Sequence, residues 1–326
     1  MRSALAALPC VLLLLWSGAV LAQSPEPQAA PAAAPAPARP ATLEVRAPDL
    51  TADYFTPAPS SAVIPGAVIV LGGSEGGLGG SRNLARRLAA EGFTTLAVSY
   101  FGEAGQNPRL DLIPIEQVAR AREWLEAQPG FTGPVAVVGV SKGAELALIA
   151  ASRDPRITAV VAGVPSDVVW QGIDRTGAST GGSWTQGGQP LTYVPYDMTG
   201  GFPGLLELYR RSAAAPHDPG ARIPVEQING PILMISGDGD TMWPSWEMAN
   251  RIEAGLKDAG FAHPVTNLVY PAAGHSVFGP PIADPAAPGL RNALSVGGTI
   301  EGLVAARADG WPKVVDFLRQ ALTSQP

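Results

Sequence analysis

The stretch Pro134-Val135-Ala136-Val137-Val138-Gly139-Val140-Ser141-Lys142-Gly143-Ala144-Glu145-Leu146-Ala147-Leu148 passes directly from an apolar run to a helix-forming run. The valines before the turn suit a strand buried on both faces. The Ala, Leu and Glu residues after it favour a helix. Between them stands Gly139-Val140-Ser141-Lys142-Gly143, a Gly-x-Ser-x-Gly turn. A sharp strand-to-helix turn of this kind lifts a serine hydroxyl above the carboxyl edge of a parallel sheet. Its glycines answer to crowding, since such a turn leaves little room for a Cβ on either side.

The pattern alone selects nothing, because 38 glycines in 326 residues make it easy to meet by chance. It occurs at two further serines. Ser179, in Gly177-Ala178-Ser179-Thr180-Gly181, follows no apolar run and reads as a loop residue. Ser74, in Gly72-Gly73-Ser74-Glu75-Gly76, follows the apolar run 67–71, yet more glycines come after it and the helical pattern starts only near Ser81. That is a poor nucleophile turn and a good backbone cradle.

Outward from Ser141, apolar runs at 67–71, 94–99, 134–140, 159–164, 231–236 and 265–270 alternate with helical patterns. The helical patterns lie at 81–91, 115–127, 141–153, 246–259 and 311–322. This alternation predicts an α/β fold, with a mostly parallel sheet covered by helices on both faces. Residues 42–46 read as an early strand at the sheet edge. The segment 165–223 breaks the rhythm: it is rich in Gly, Ser, Thr, Pro and aromatics, including Trp170, Trp184, Tyr196 and Tyr209. Such a length of chain reads either as a lid or binding insertion near the site, or as a surface excursion with packed aromatics.

The first 22 residues read as a secretory signal, with Arg2, a Leu12-Leu13-Leu14-Leu15 centre and small residues ending at Ala22. An uncleaved membrane anchor is the rival reading. Residues 23–41 are Pro- and Ala-rich and read as a disordered linker. Residues 42–326 are then one domain, exported to a periplasmic or secreted location. Cys10, the single cysteine, falls in the signal. This excludes a disulfide framework and a cysteine nucleophile from the remainder. With three histidines in all, a His-rich metal site is not expected, and no cofactor fingerprint is complete. A formal charge of −6 without a basic cluster argues against a nucleic-acid partner. A small-molecule substrate is expected instead.

A serine nucleophile needs a base, and the base an orienting carboxylate. In an α/β-hydrolase these follow in the order Ser, acid, His. The run 231–236 is followed by Gly237-Asp238-Gly239-Asp240, and the run 265–270 by Pro271-Ala272-Ala273-Gly274-His275. Carboxyl ends of strands are where such sheets place their ligands. His275 is therefore the expected base. His263 precedes its strand and belongs at the opposite edge, and His217 falls in the 165–223 segment. Asp240 is preferred to Asp238 as the acid, because it sits further along the turn and Trp243-Pro244 can fix it. Asp238 can instead hold backbone amides. The oxyanion donors are expected to be the backbone N–H of Lys142 and that of Ser74 or Glu75. The Lys142 ammonium is expected to be solvated and is given no role.

The run 138–148 resembles the nucleophile segment of the acyl-CoA thioesterase and bile-acid-CoA:amino acid N-acyltransferase family, in its C-terminal catalytic domain. Ile157-Thr158-Ala159-Val160-Val161-Ala162, Gly230-Pro231-Ile232-Leu233, Asp240 with Trp243-Pro244-Ser245, Tyr270-Pro271-Ala272-Ala273-Gly274-His275, Gly297-Gly298-Thr299 and Trp311-Pro312 match it in order. The resemblance covers most of 66–320. It implies an α/β-hydrolase fold, thioester hydrolysis or acyl transfer, and the nucleophile, acid and base roles at Ser141, Asp240 and His275. Animal members carry a preceding β-sandwich domain, for which the residues between linker and sheet are too few. Members that transfer acyl groups to amino acids use cysteine, so Ser141 favours hydrolysis. Binding of CoA would call for basic residues near the site mouth, and no basic run marks such a patch. Export leaves other esters and thioesters open as substrates. The rival readings are a dienelactone-hydrolase-like or lipase-like esterase, with the 165–223 insertion setting its acyl pocket, and a non-catalytic binding or envelope protein on the same fold.

Overall fold

Strand valines and isoleucines alternate between two cores. The computed structural model describes residues 41–47, 49–57, 64–173 and 181–324. The signal 1–22, linker residues 23–40 and Ser179 lie outside the described residues. Strand β1 is Ala41–Ala47, β2 Leu50–Thr56, β3 Ala67–Leu71 and β4 Thr95–Ser99. After the two-residue β5, Ile113–Pro114, come β6, Val135–Val140, and β7, Ile157–Gly163. The short β8, Trp184–Gln186, and β9, Gln189–Pro190, precede β10, Ile232–Gly237, and β11, Val265–Tyr270. Among the described residues, eight strands form one sheet in the order β1-β2-β4-β3-β6-β7-β10-β11. From β4 to β11 every pairing is parallel, and β2 runs antiparallel to both β1 and β4.

Along β3 and β6 the side chains divide by the two-residue period of a strand. Ile69, Leu71, Val135 and Val137 enter one core. Val68, Val70, Ala136 and Val138 enter the other. Each fully buried aliphatic side chain contributes about 1.5–3 kcal/mol from removal of its surface from water. Helices cover both faces. They are α1 Gly79–Ala90, α2 Glu116–Glu126, α3 Lys142–Ala151, α4 Leu205–Ala214, α5 Ser245–Asp258, α6 Leu290–Ala293 and α7 Ile300–Thr323.

The sequence reading misses one strand of the main sheet and the start of one helix. Strand β2 is absent from the runs read in the sequence, since Asp53 interrupts its apolar pattern, yet Asp53 is buried there. Arg46 on β1 meets its carboxylate at 3.2 Å, and Arg82 on α1 pairs with it as well. The buried charge is tolerated because it is paired and hydrogen-bonded. Helix α7 begins well before the expected 311, and Pro312 lies inside it. A Trp-Pro pair reads as a helix start, since proline suits the first turn. Here Thr299 is the cap instead, its side chain accepting the Gly302 N–H at 3.0 Å.

The segment 165–223 is built rather than loose where it is described. β8 and β9 join β5 in a small three-stranded sheet, and α4 packs Leu208 and Tyr209 inward. Trp170, Val194, Tyr209 and Ala221 form a third core with Trp243 and Met248.

Candidate active site

Strand β6 ends at Val140, and Ser141 occupies a left-handed backbone conformation (φ 57°, ψ −121°) before α3 begins. Such a conformation costs a non-glycine residue about 1–3 kcal/mol and persists only where surroundings enforce it. The Ser141 N–H donates to the Gly163 carbonyl at the end of β7, at 2.9 Å. Its carbonyl accepts from Ala144 and Glu145 of α3 at 2.9 and 3.1 Å. A Cβ at Gly139 would stand 2.1 Å from the Gly143 carbonyl oxygen, and one at Gly143 would stand 2.1 Å from that of Gly72. Only glycine fits at either position.

The loops after β10 and β11 bring Asp240 and His275 to this serine. His275 Nε2 lies 3.0 Å from Ser141 Oγ, and Nδ1 lies 2.8 Å from Asp240 Oδ2. A carboxylate only accepts, so Nδ1 carries the proton, and Nε2 is left to accept from the serine hydroxyl. Asp240 is buried. Its Oδ1 accepts from the amides of Met242 at 2.9 Å and Trp243 at 3.3 Å, and its Oδ2 from Ser245 Oγ at 2.7 Å. Asp238 accepts the Ala272 N–H at 2.7 Å and so ties the two loops together. His217 sits away from this row, its Nδ1 on the Ala215 carbonyl at 2.8 Å, and His263 packs against Phe261.

A further segment holds the two loops in register. Gly297 bridges to Asp240, and Gly298 to Ala273. A Cβ at Gly298 would meet the Gly274 nitrogen at 2.2 Å. The Thr299 N–H donates to Ala272, whose own φ is 54°.

Loop 72–77 follows β3 and passes directly beside the serine: a Cβ at Gly73 would come 3.4 Å from Ser141 Cβ. Ser74 and Glu75 line the same cavity as Ser141. The Glu75 carboxylate folds back to accept the Gly73 N–H at 3.1 Å. Tyr100, fully buried, points its hydroxyl at the carbonyls of Gly72 (2.7 Å) and Gly73 (2.9 Å). Burial raises its pKa well above the usual phenol value, which keeps it a donor. Tyr100 was not legible as a site residue, since nothing in its local sequence links it to a loop distant along the chain. As the first residue of α3, Lys142 has an N–H without an intrahelical partner.

The Lys142 side chain is not solvated as expected. It is 1% exposed, and its Nζ meets Glu145 at 2.5 Å and donates to Ser183 Oγ at 2.8 Å. Burial lowers the ammonium pKa, and Glu145 opposes that effect. The other Glu145 oxygen accepts from the Trp170 N–H at 3.0 Å and Trp184 Nε1 at 2.7 Å. A buried ion pair thus fastens the 165–223 segment to the helix that starts at the serine. An edge-to-face file of rings, Trp170, Tyr209, Trp243 and His275, links the same segment to the histidine. Desolvation pushes the Tyr209 pKa up to about 12.

A cavity of about 1280 Å³ opens on Ser141 and His275. It runs over loop 72–75 to Leu84 on α1 and to Phe278 beyond the histidine. Among the described residues, none of 165–223 lines it. The described part of the insertion buttresses the site from behind. Among the described residues, no group of His, Cys, Asp and Glu gathers to hold a metal ion, and no helix is long and apolar enough to cross a membrane.

The parallel sheet, the strand–serine–helix turn, and the acid and histidine loops after β10 and β11 define an α/β-hydrolase. The chain belongs to the family described as "BAAT / Acyl-CoA thioester hydrolase C terminal", matched over residues 113–324. Residues 23–195 also match "X-Pro dipeptidyl-peptidase (S15 family)", a match that includes Ser141 but neither Asp240 nor His275. The chain is 30% identical over 289 residues to the bile acid-CoA:amino acid N-acyltransferase of Mus musculus, across 86% of this chain and 65% of that protein. It is 28% identical to the mitochondrial acyl-coenzyme A thioesterase 2 of Mus musculus, across 87% and 61%. It therefore spans under two thirds of either relative. A dienelactone hydrolase-like promiscuous phosphotriesterase from metagenomic libraries shares the fold, with a TM-score of 0.52 at 19% identity, covering 87% of this chain and 99% of that one. An acylaminoacyl peptidase of Pyrococcus horikoshii does so with 0.52 at 14%, covering 88% and 42%.

Proposed function

We propose that this protein is a serine hydrolase that cleaves acyl thioesters or esters through an acyl-enzyme. The observation that carries the reading is the continuous row from Ser141 Oγ through both nitrogens of His275 to Asp240, at 3.0 and 2.8 Å. His275 takes the serine proton as Ser141 Oγ attacks the acyl carbonyl carbon. The tetrahedral intermediate collapses, the carbon–sulfur or carbon–oxygen bond of the leaving group breaks, and His275 returns the proton to it. Water, deprotonated by His275, then releases the acid and restores the serine. Asp240 holds the imidazole in its productive tautomer and stabilises its charged form. The carbonyl oxygen becomes negative between the Lys142 N–H and loop 72–75, where Ser74 and Glu75 supply candidate donors. The choice of thioesters among acyl compounds rests on the family and on what its named relatives act upon. Hydrolysis rather than transfer to an amino acid follows from serine at position 141.

A fluorophosphonate probe with p-nitrophenyl butyrate turnover tests this. Wild type is expected to be labelled and active, with both lost in Ser141→Ala. An unlabelled, inert wild type returns the chain to a binding role. We also infer export from residues 1–22, and the intact mass of the mature protein is expected to begin at Gln23.

A further inference from the structure

On the hydrolase reading, the oxyanion forms between two elements, the start of α3 at Lys142 and loop 72–75. These elements pack without room for a methyl group: a Cβ at Gly143 would stand 2.1 Å from the Gly72 carbonyl oxygen. Their spacing is therefore set by whatever holds each of them from behind.

Trp184, the first residue of β8, is fully buried and reaches both supports. On the α3 side its Nε1 donates to Glu145 Oε1 at 2.7 Å, and Lys142 Nζ lies 5.3 Å from its ring centre. On the loop side its ring packs on that of Tyr100, with centres 5.6 Å apart and planes at 57°. The Tyr100 hydroxyl is the donor to the Gly72 and Gly73 carbonyls. Ser183, one residue earlier, accepts from Lys142 Nζ at 2.8 Å. Its own hydroxyl proton faces the carbonyls of Trp170 at 3.0 Å and Gln171 at 3.1 Å.

The backbone of these two residues is itself fixed. The Ser183 carbonyl accepts from the Ile113 N–H at 2.8 Å, and the Trp184 carbonyl from the Leu191 N–H at 2.9 Å. β8 is thus held between β5 and β9. Ser183, Trp184 and Tyr100 do not line the cavity, so none of them acts by touching a substrate. An indole is stiff, with two side-chain torsions and one donor, and it passes on position rather than absorbing it. Displacing a catalytic group by about 1 Å costs on the order of 100-fold in rate.

We infer that Ser183 and Trp184 are positioning residues: from the 165–223 segment they fix the spacing between the Lys142 N–H and loop 72–75, and so set the turnover rate without contacting substrate. This deepens the hydrolase reading and rests on it. The test compares wild type, Trp184→Phe and Ser183→Ala on p-nitrophenyl butyrate and on an alkyl trifluoromethyl ketone. Ser141 Oγ adds to the ketone carbon, its proton passes to His275, and the carbonyl oxygen takes the negative charge. No group leaves, so the adduct reports on the oxyanion alone.

Trp184→Phe is expected to lose about tenfold or more in kcat, with KM within about twofold of wild type. The inhibition constant of the ketone is expected to rise by the factor that kcat falls. Ser183→Ala is expected to follow the same line with a smaller loss, and it carries the test if Trp184→Phe does not fold. Tyr100→Phe is expected to cost less in the Trp184→Phe background than in wild type, because both act on one spacing. An equal cost overturns the link through Tyr100. Unchanged kcat in the folded variants, a loss that falls on KM, or ketone affinity that holds while kcat falls overturns the positioning role and leaves the hydrolase reading intact. A wild type that neither turns over the ester nor binds the ketone sinks the hydrolase reading, and the positioning role with it.

Discussion

The Lys142 ammonium and the Glu145 carboxylate face each other at 2.5 Å with neither side chain open to water. Removing one member of such a pair strands a buried charge, at a cost of about 3–5 kcal/mol. Glu145→Gln is therefore expected to lower unfolding free energy by about 3 kcal/mol, read from urea denaturation. Lys142→Met/Glu145→Gln is expected to recover more than half of that loss. A double variant no more stable than the single one contradicts the pairing argument.

Asp240 and Asp238 are two residues apart and sit in different bonds. Asp240→Asn presents an amide to His275 and favours the wrong tautomer, so kcat is expected to fall by about 10⁴-fold with a folded protein. Asp238→Asn weakens only the Ala272 contact and is expected to cost about 1 kcal/mol of stability, with kcat within a fewfold of wild type. Reversal of the two effects would reassign the acid.

Ser245 Oγ donates to the same Asp240 oxygen that His275 uses. Ser245→Ala leaves the acid and base in place but removes one of the groups that aims the carboxylate. The expectation is a drop in kcat of about tenfold with KM nearly unchanged, in line with the loss of one hydrogen bond to a charged group. Steady-state kinetics on a single ester suffices.

Tyr100→Phe deletes the hydroxyl that bonds the carbonyls of Gly72 and Gly73. Unpartnered buried acceptors cost about 1–3 kcal/mol, and loop 72–75 loses its rear support. Both thermal stability and kcat are expected to fall, with fluorophosphonate labelling of Ser141 slowed to a similar degree.

Much of this arrangement was readable because it is local. A valine strand, a glycine turn and an alanine-leucine helix specify their own geometry, and Ser141 sits where they meet. Asp240 and His275 were legible for a related reason: each directly follows an apolar strand, so strand order alone brings them together. What escaped is whatever depends on partners distant along the chain. Asp53 breaks the apolar pattern of β2, and the partners that make its burial tolerable, Arg46 and Arg82, are brought to it only by the fold. The Lys142 side chain looks solvated until Ser183 and Trp184 close over it. No basic run marks the cavity, because Arg86 and Arg87 stand far along the chain from Arg307.

The bridge from Gly297 and Gly298 to the acid and histidine loops sets how much chain the chemistry requires. A fragment that stopped soon after His275 would possess every reacting group and still lack the wedge that spaces Asp240 from Ala273. Two glycines that supply no side chain thus hold the acid and histidine loops in place. Their conformations, at φ 96° and 78°, make the site's integrity answerable to a tail of the protein that takes no part in bond making.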